Sequence, residues 1–143
     1  MPIKTFRGLI AHGAIDTISL HTNTGSTGYR VVKFQLMLPD AASAIKSVVK
    51  IYKVPQTTTT DEVDFSDNTL LAAGMISAKS DQTPYPEDVL TIFDNEIVNQ
   101  DIYVTHQDEH AGSASINYYI ELEQIKLDLN ENTVATLKDI RNS

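Results

Sequence analysis

Residues 113–129 read SASINYYIELEQIKLDL, the longest run of two-residue alternation in the chain. Ile116, Tyr118, Ile120 and Leu122 share one face while Asn117, Tyr119, Glu121 and Glu123 share the other, the pattern of a strand with one buried and one wet side. After Glu123 the phase changes, because Ile125, Leu127 and Leu129 now carry the apolar set with Lys126 and Asp128 opposite. A β-bulge at Gln124 would restore the apolar face, since one inserted residue moves every later side chain to the other side. The spacing predicts a long central strand able to bend between the two sheets of a sandwich.

Working outward from it, extended segments fall at 4–10, 14–21, 29–38, 47–54 and 70–77, and residues 89–106 supply two more around a turn at Asp94-Asn95. In 29–38, Val32, Phe34, Leu36 and Leu38 are set against Val31, Lys33, Gln35 and Met37, and Pro39 stops the run. Asp40 fits the cap of a single helical turn over 41–44. TNTGSTG at 22–28 has the composition of a surface loop. Residues 55–68, with four threonines, several acids and the one apolar anchor Phe65, read as a long projecting loop of the contact-making kind. Pro84 and Pro86 hold 81–86 as an extended loop. In 130–143, Val134, Leu137 and Ile140 fit a short helix.

About eight strands with turn-rich connections, and no helix long enough to cross between parallel strands, predict an all-β antiparallel sandwich, jelly-roll-like. An immunoglobulin-type sandwich would also fit the strand count, but its cysteine and tryptophan signals are missing. At 143 residues one domain over 1–143 is expected, able to bury a core without staples. The chain contains no cysteine, which excludes disulfides, thiolate metal sites and cysteine nucleophiles. A net charge of −8, from 11 basic and 19 acidic residues, opposes binding to a phosphate backbone. No apolar run is long enough to span a bilayer and MPIKTFRGL lacks the apolar core of a signal peptide, so neither membrane insertion nor signal-directed export is expected.

Motifs that carry chemistry are scarce. His106-Gln107-Asp108-Glu109-His110 puts four potential metal ligands close together, yet in a hairpin turn such side chains fan out into water. Asp61, Glu62, Asp64 and Asp67 form an oxygen-rich loop without the spacing or internal glycine of a calcium loop. No G-x-S-x-G elbow, P-loop or dinucleotide fingerprint is present, and GSTG at 25–28 opens no helix. No catalytic residue, cofactor or metal site is therefore assigned. Tyr118 and Tyr119 lie on opposite faces of the central strand and read as core or interface residues ahead of sugar-stacking ones.

Several phrases are similar to a known type of protein: KTFRGLIAHG at the start, YRVVKFQLM at 29–37, VDFSDNTLL at 63–71, IFDNEIVNQDIYVTHQD at 92–108, NYYIELEQIKLD at 117–128 and TLKDIRNS at the end. Together they resemble a small virion structural protein of marine tailed bacteriophages of the pelagiphage and cyanophage type. The resemblance implies a non-enzymatic capsid decoration or cement module, located in the virion and, during assembly, in the host cytoplasm. It carries over no functional residues. The partners it implies are other virion proteins such as the major capsid protein, with no nucleic acid and no membrane. An alternative is a host-surface glycan-binding or tail- and fibre-associated adhesion module, with the long loops gathered at one end.

Self-association is expected from the residues themselves. The segment 70–76 is apolar on both faces, so Leu71, Ala73 and Met75, or the opposite set, would stay exposed unless another chain covered them. These three, with Phe65 and Tyr119, are the candidate contact residues of a homo-oligomer, expected to be a closed ring such as a trimer.

Overall fold

A computed structural model describes residues 2–20, 27–39, 45–79, 83–109 and 114–126. The helical turn expected at 41–44, the C-terminal helix expected at 130–143 and most of the 22–28 loop lie outside them. Alternation of apolar and polar residues produces nine strands among the described residues: β1 (Ile3–Ile10), β2 (Ile15–Ile18), β3 (Thr27–Met37), β4 (Ile45–Tyr52), β5 (Leu70–Lys79), β6 (Thr83–Phe93), β7 (Ile97–Val98), β8 (Ile102–Asp108) and β9 (Ile116–Lys126). Two antiparallel sheets, β1-β9-β3-β7 and β2-β8-β4-β5-β6, pack face to face.

Their order has a simple origin. The pairs β1 with β9, β2 with β8, β3 with β7 and β4 with β5 are those of one long hairpin doubled back on itself. Wrapping that hairpin into two layers sets β9 beside β3 and β8 beside β4, which is jelly-roll topology with β6 added as an edge strand. The expected fold class is therefore the observed one.

The core lies between the layers. Ile116, Tyr118, Ile120 and Leu122 of β9 face inward, as the alternation requires, and meet Phe34 and Leu36 of β3 and Val49 and Ile51 of β4. Each fully buried aliphatic side chain contributes at most roughly 1.5–3 kcal/mol relative to exposure.

Two expectations about register are corrected. β9 runs straight through Gln124, which pairs with Tyr29, and Ile125, paired with Gly28, stays half-buried on the other face. The bulge sits in the partner strand instead: Val31 opposes Leu122 and Lys33 opposes Glu121, leaving Val32 as the extra residue. This puts both Val31 and Phe34 in the core, where strict alternation would have separated them. Residues 83–86, expected as loop, begin β6. Prolines are tolerated there because an edge strand needs only half of its backbone groups for the ladder, and the register shifts near Ala78 lie at the same place.

At Gly74 of β5 the facing layer leaves no room for a side chain. A Cβ there would stand 2.8 Å from Leu36 Cδ1 and 3.1 Å from Phe34 Cε2. Gly74→Val is expected to overpack the interlayer contact and destabilise the protein by about 1–3 kcal/mol, read as a lower urea midpoint at unchanged slope.

Candidate functional site

The connection 55–68 does not project. It folds back over the outer face of β4 and β8, as Lys50 shows. Lys50 points outward from β4 but is 2% exposed, because its Nζ donates to Thr60 Oγ1 (2.8 Å) and to the Glu62 carbonyl (2.6 Å) and lies over the Tyr52 ring. Thr59 donates to Gln107 of β8 at 2.7 Å, tying the loop to the next strand. Burial lowers the Lys50 pKa, opposed by Glu62, Asp61 and Asp67. Just beyond β4, Lys53 and Glu96 form a buried ion pair at 2.7 Å, which holds the start of the loop against the chain before β7. An apolar sheet alone would not hold a threonine-rich loop; a buried ammonium does, since leaving it unsatisfied would cost several kcal/mol.

The acids of this loop are used locally. Asp64 accepts from the Ser66 backbone N–H and hydroxyl, and Asp67 accepts the same pair of bonds from Thr69. Those bonds to Ser66 lower the Asp64 pKa. Among the described residues no three His, Asp or Glu side chains are grouped to hold a metal ion.

His106 and Asp108 also depart from expectation. They lie within β8, not in a turn, and both are buried; His110 is outside the described residues. The His106 ring bridges the layers, with Nδ1 3.0 Å from the Ile10 carbonyl and Nε2 2.9 Å from Ser47 Oγ. A carbonyl only accepts, so Nδ1 carries the proton and Nε2 receives the Ser47 hydroxyl. The pair has the reach of a nucleophile and its base, but both side chains are closed off from solvent, and here it orders the core. Asp108 accepts from the backbone N–H of Ala114 (3.1 Å), and its own N–H donates to His12 Nδ1 (3.0 Å). Above them the turn 11–14 bonds to the His106 backbone, and Gly13, at φ 75°, supplies its left-handed corner. Burial lowers the His106 pKa from 6.5, against the opposing pull of the Ala11 and Ile10 backbone and of Asp108, with His12 adding to the lowering.

Among the described residues, the large exposed apolar side chains gather on two surfaces. On the outer face of β1, β9 and β3, register aligns Leu9 with Asn117 and Met37, and Arg7 with Tyr119 and Gln35. With Gly8, Leu36, Tyr118 and, from β6 of the other layer, Thr91, these six line a cleft of about 980 Å³ that reaches from this face to the β6 edge. Tyr119 donates to Glu121 at 2.7 Å, and Lys33 lies over its ring. Tyr118, on the opposite face, is a core residue whose hydroxyl donates to Asp16 at 3.0 Å; burial and Asp16 raise its pKa.

The second surface is the outer side of β5 and β6. Met75 and Leu90 pair there, next to Ile92, with Phe65 and Phe93 around a hollow of about 650 Å³ edged by Asp67 and Asp94. Of the five candidate contact residues, Phe65 (70%) and Met75 (45%) are exposed and Tyr119 is half-buried in the cleft. Leu71 and Ala73 are covered by their own chain. Leu71 is the extra residue of a bulge between Ile51 and Tyr52 of β4, which turns it into the core instead of alongside Met75. Ala73 is a small side chain between Lys50 and Ile92. The sequence pattern also missed Leu9, Met37, Leu90 and Ile92 as surface residues, although the first two stand on the polar face of their own strands. No protein-family model matches the chain, and no curated protein matches it.

Two predictions follow from the buried polar groups. Lys50→Met is expected to free the loop, so that thermolysin cuts near Phe65 far faster while global stability falls by about 1–3 kcal/mol. For His106, the folded state resists a proton that the unfolded chain takes up near pH 6.5, so its contribution to stability is lost as pH falls below 6.5. The difference in urea midpoint between wild type and His106→Gln should therefore shrink from pH 7.5 to 5.5.

Proposed function

We propose that the chain is a non-enzymatic virion structural protein, a capsid-decorating or cementing module that contacts copies of itself and other virion proteins such as the major capsid protein. The observation behind this is the pair of apolar outer surfaces: a sandwich that has already filled its core still presents Met37, Leu9, Phe65, Leu90, Ile92 and Met75 to solvent. Lys50, Lys53 with Glu96, and His106 with Ser47, by contrast, are engaged in holding loops and layers together. The resemblance of its sequence phrases to phage virion proteins supports the same reading, as does the absence of cysteine, which suits folding in a reducing cytoplasm.

A second reading, a glycan-binding adhesion module, has one observation in its favour: Tyr119, Arg7, Gln35 and Asn117 share a cleft, a combination that suits a sugar ring and its hydroxyls. A glycan array with no bound saccharide removes it. For the first reading the measurement is quantitative mass spectrometry of purified particles. A decorating protein is expected at a copy number comparable to the major capsid protein; absence from particles refutes it, and a few copies per particle assign it to the tail or portal vertex.

A further inference from the structure

We propose that copies of this chain bind head to tail, with Phe65 on the outer side of the β5–β6 sheet of one copy seated in the cleft formed by Arg7, Leu9, Gln35, Met37, Asn117 and Tyr119 of the next. This rests on the reading of the chain as an assembling module and names the contact by which it would assemble.

Among the described residues, all eight large apolar side chains left exposed fall on these two outward surfaces. Ile3, Leu9 and Met37 stand on the outer face of the β1-β9-β3 layer, and Phe65, Met75, Leu90, Ile92 and Phe93 on or beside that of the β5–β6 layer. The second group leaves on the order of 500 Å² uncovered, a large share of the roughly 800 Å² that each partner contributes to a stable interface. Shape is complementary as well. Phe65 is 70% exposed at the end of a loop held down by Lys50, an aromatic anchor on a rigid support, and the cleft opposite is a concavity with an aromatic ring and a methionine in its wall.

Charge decides between a symmetric and a head-to-tail contact. Around Phe65 the hollow carries Asp67 and Asp94, with Glu96 already paired to Lys53. Two such surfaces facing each other across a two-fold axis would set carboxylate against carboxylate. The cleft carries Arg7, with Lys33 beside Tyr119, and the nearby carboxylates of Glu121 and Asp16 accept the Tyr119 and Tyr118 hydroxyls. On a chain of net charge −8, this is the described apolar surface that offers cations to the acidic rim. Because the contact joins two different surfaces of the same chain, it is heterologous and repeats from copy to copy, closing into a ring or running on according to the rotation between neighbours.

The test uses two blocked variants, Met37→Asp in the cleft and Phe65→Asp on the knob, both at exposed positions outside the core. Their melting temperatures, measured alongside, are expected to match wild type. In sedimentation, wild type is expected to show concentration-dependent association, and each variant alone to be a monomer with contact affinity lowered roughly a hundredfold. An equimolar mixture should form a one-to-one dimer and nothing larger, since one variant retains the knob and the other the cleft. Self-association of Met37→Asp at wild-type strength would show a symmetric contact and overturn the proposal, as would wild-type association in both variants. A wild type that stays monomeric at millimolar concentration also overturns it, while the virion reading stands or falls separately on copy number in particles.

Discussion

The pairing of β9 with β1 on one side and β3 on the other is the constraint on which the rest of the structure depends. It joins Ile10 to Ile116 and Thr27 to Lys126, so the two ends of the described chain close the same sheet. Contacts this distant in sequence form only after a large loop-closure entropy has been overcome. Once formed, they place four consecutive inward residues of β9 against β3 and define the floor of the core on which the second layer sits. The bulge at Val32 belongs to this pairing, because it brings the odd-numbered Tyr29 and Val31 and the even-numbered Phe34 and Leu36 into one apolar face.

The second layer is treated differently on its outside. Over β4 and β8 the chain covers itself, using Lys50 as a post and the threonine-rich loop as the cover, with the Lys53–Glu96 pair at its base. A buried ion pair is weak evidence for net stability but strong evidence for geometry, since removing either partner strands the other charge. The loop is thereby tied down along its length while Phe65 stays exposed, and the uncovered strip of β5 and β6 lies beside it. The surface proposed as a contact is thus produced by the same interactions that bury Lys50.

At the other end of the sandwich, His106, Ser47, Asp108 and His12 knit the turn before β2 to the central strands of the second layer. Each is bonded through a ring nitrogen, a hydroxyl or a backbone N–H, so the polar cluster acts as a register pin between layers. The chemistry of these groups is that of a proton-transfer site, but their burial makes them a structural element sensitive to pH.

Much of the architecture was legible in the sequence. Strand periodicity in 113–126, 29–38 and 70–77, the missing crossover helix and the turn-rich connections determined an antiparallel sandwich, because alternation of side chains is a local property of the extended backbone. What it did not determine was where each alternation slips. Bulges at Val32 and Leu71 depend on the partner strand's register, so the sequence placed one in β9 that belongs to β3 and set Leu71 on the wrong face. Tertiary structure likewise decided that the acidic loop lies down on Lys50, that His106 points inward, and that Leu9, Met37 and Phe65 stand on two separate exposed surfaces. Those outcomes arise from contacts between residues from 10 to 120 positions apart, and no local pattern of polarity encodes which distant group will satisfy a buried ammonium or an imidazole.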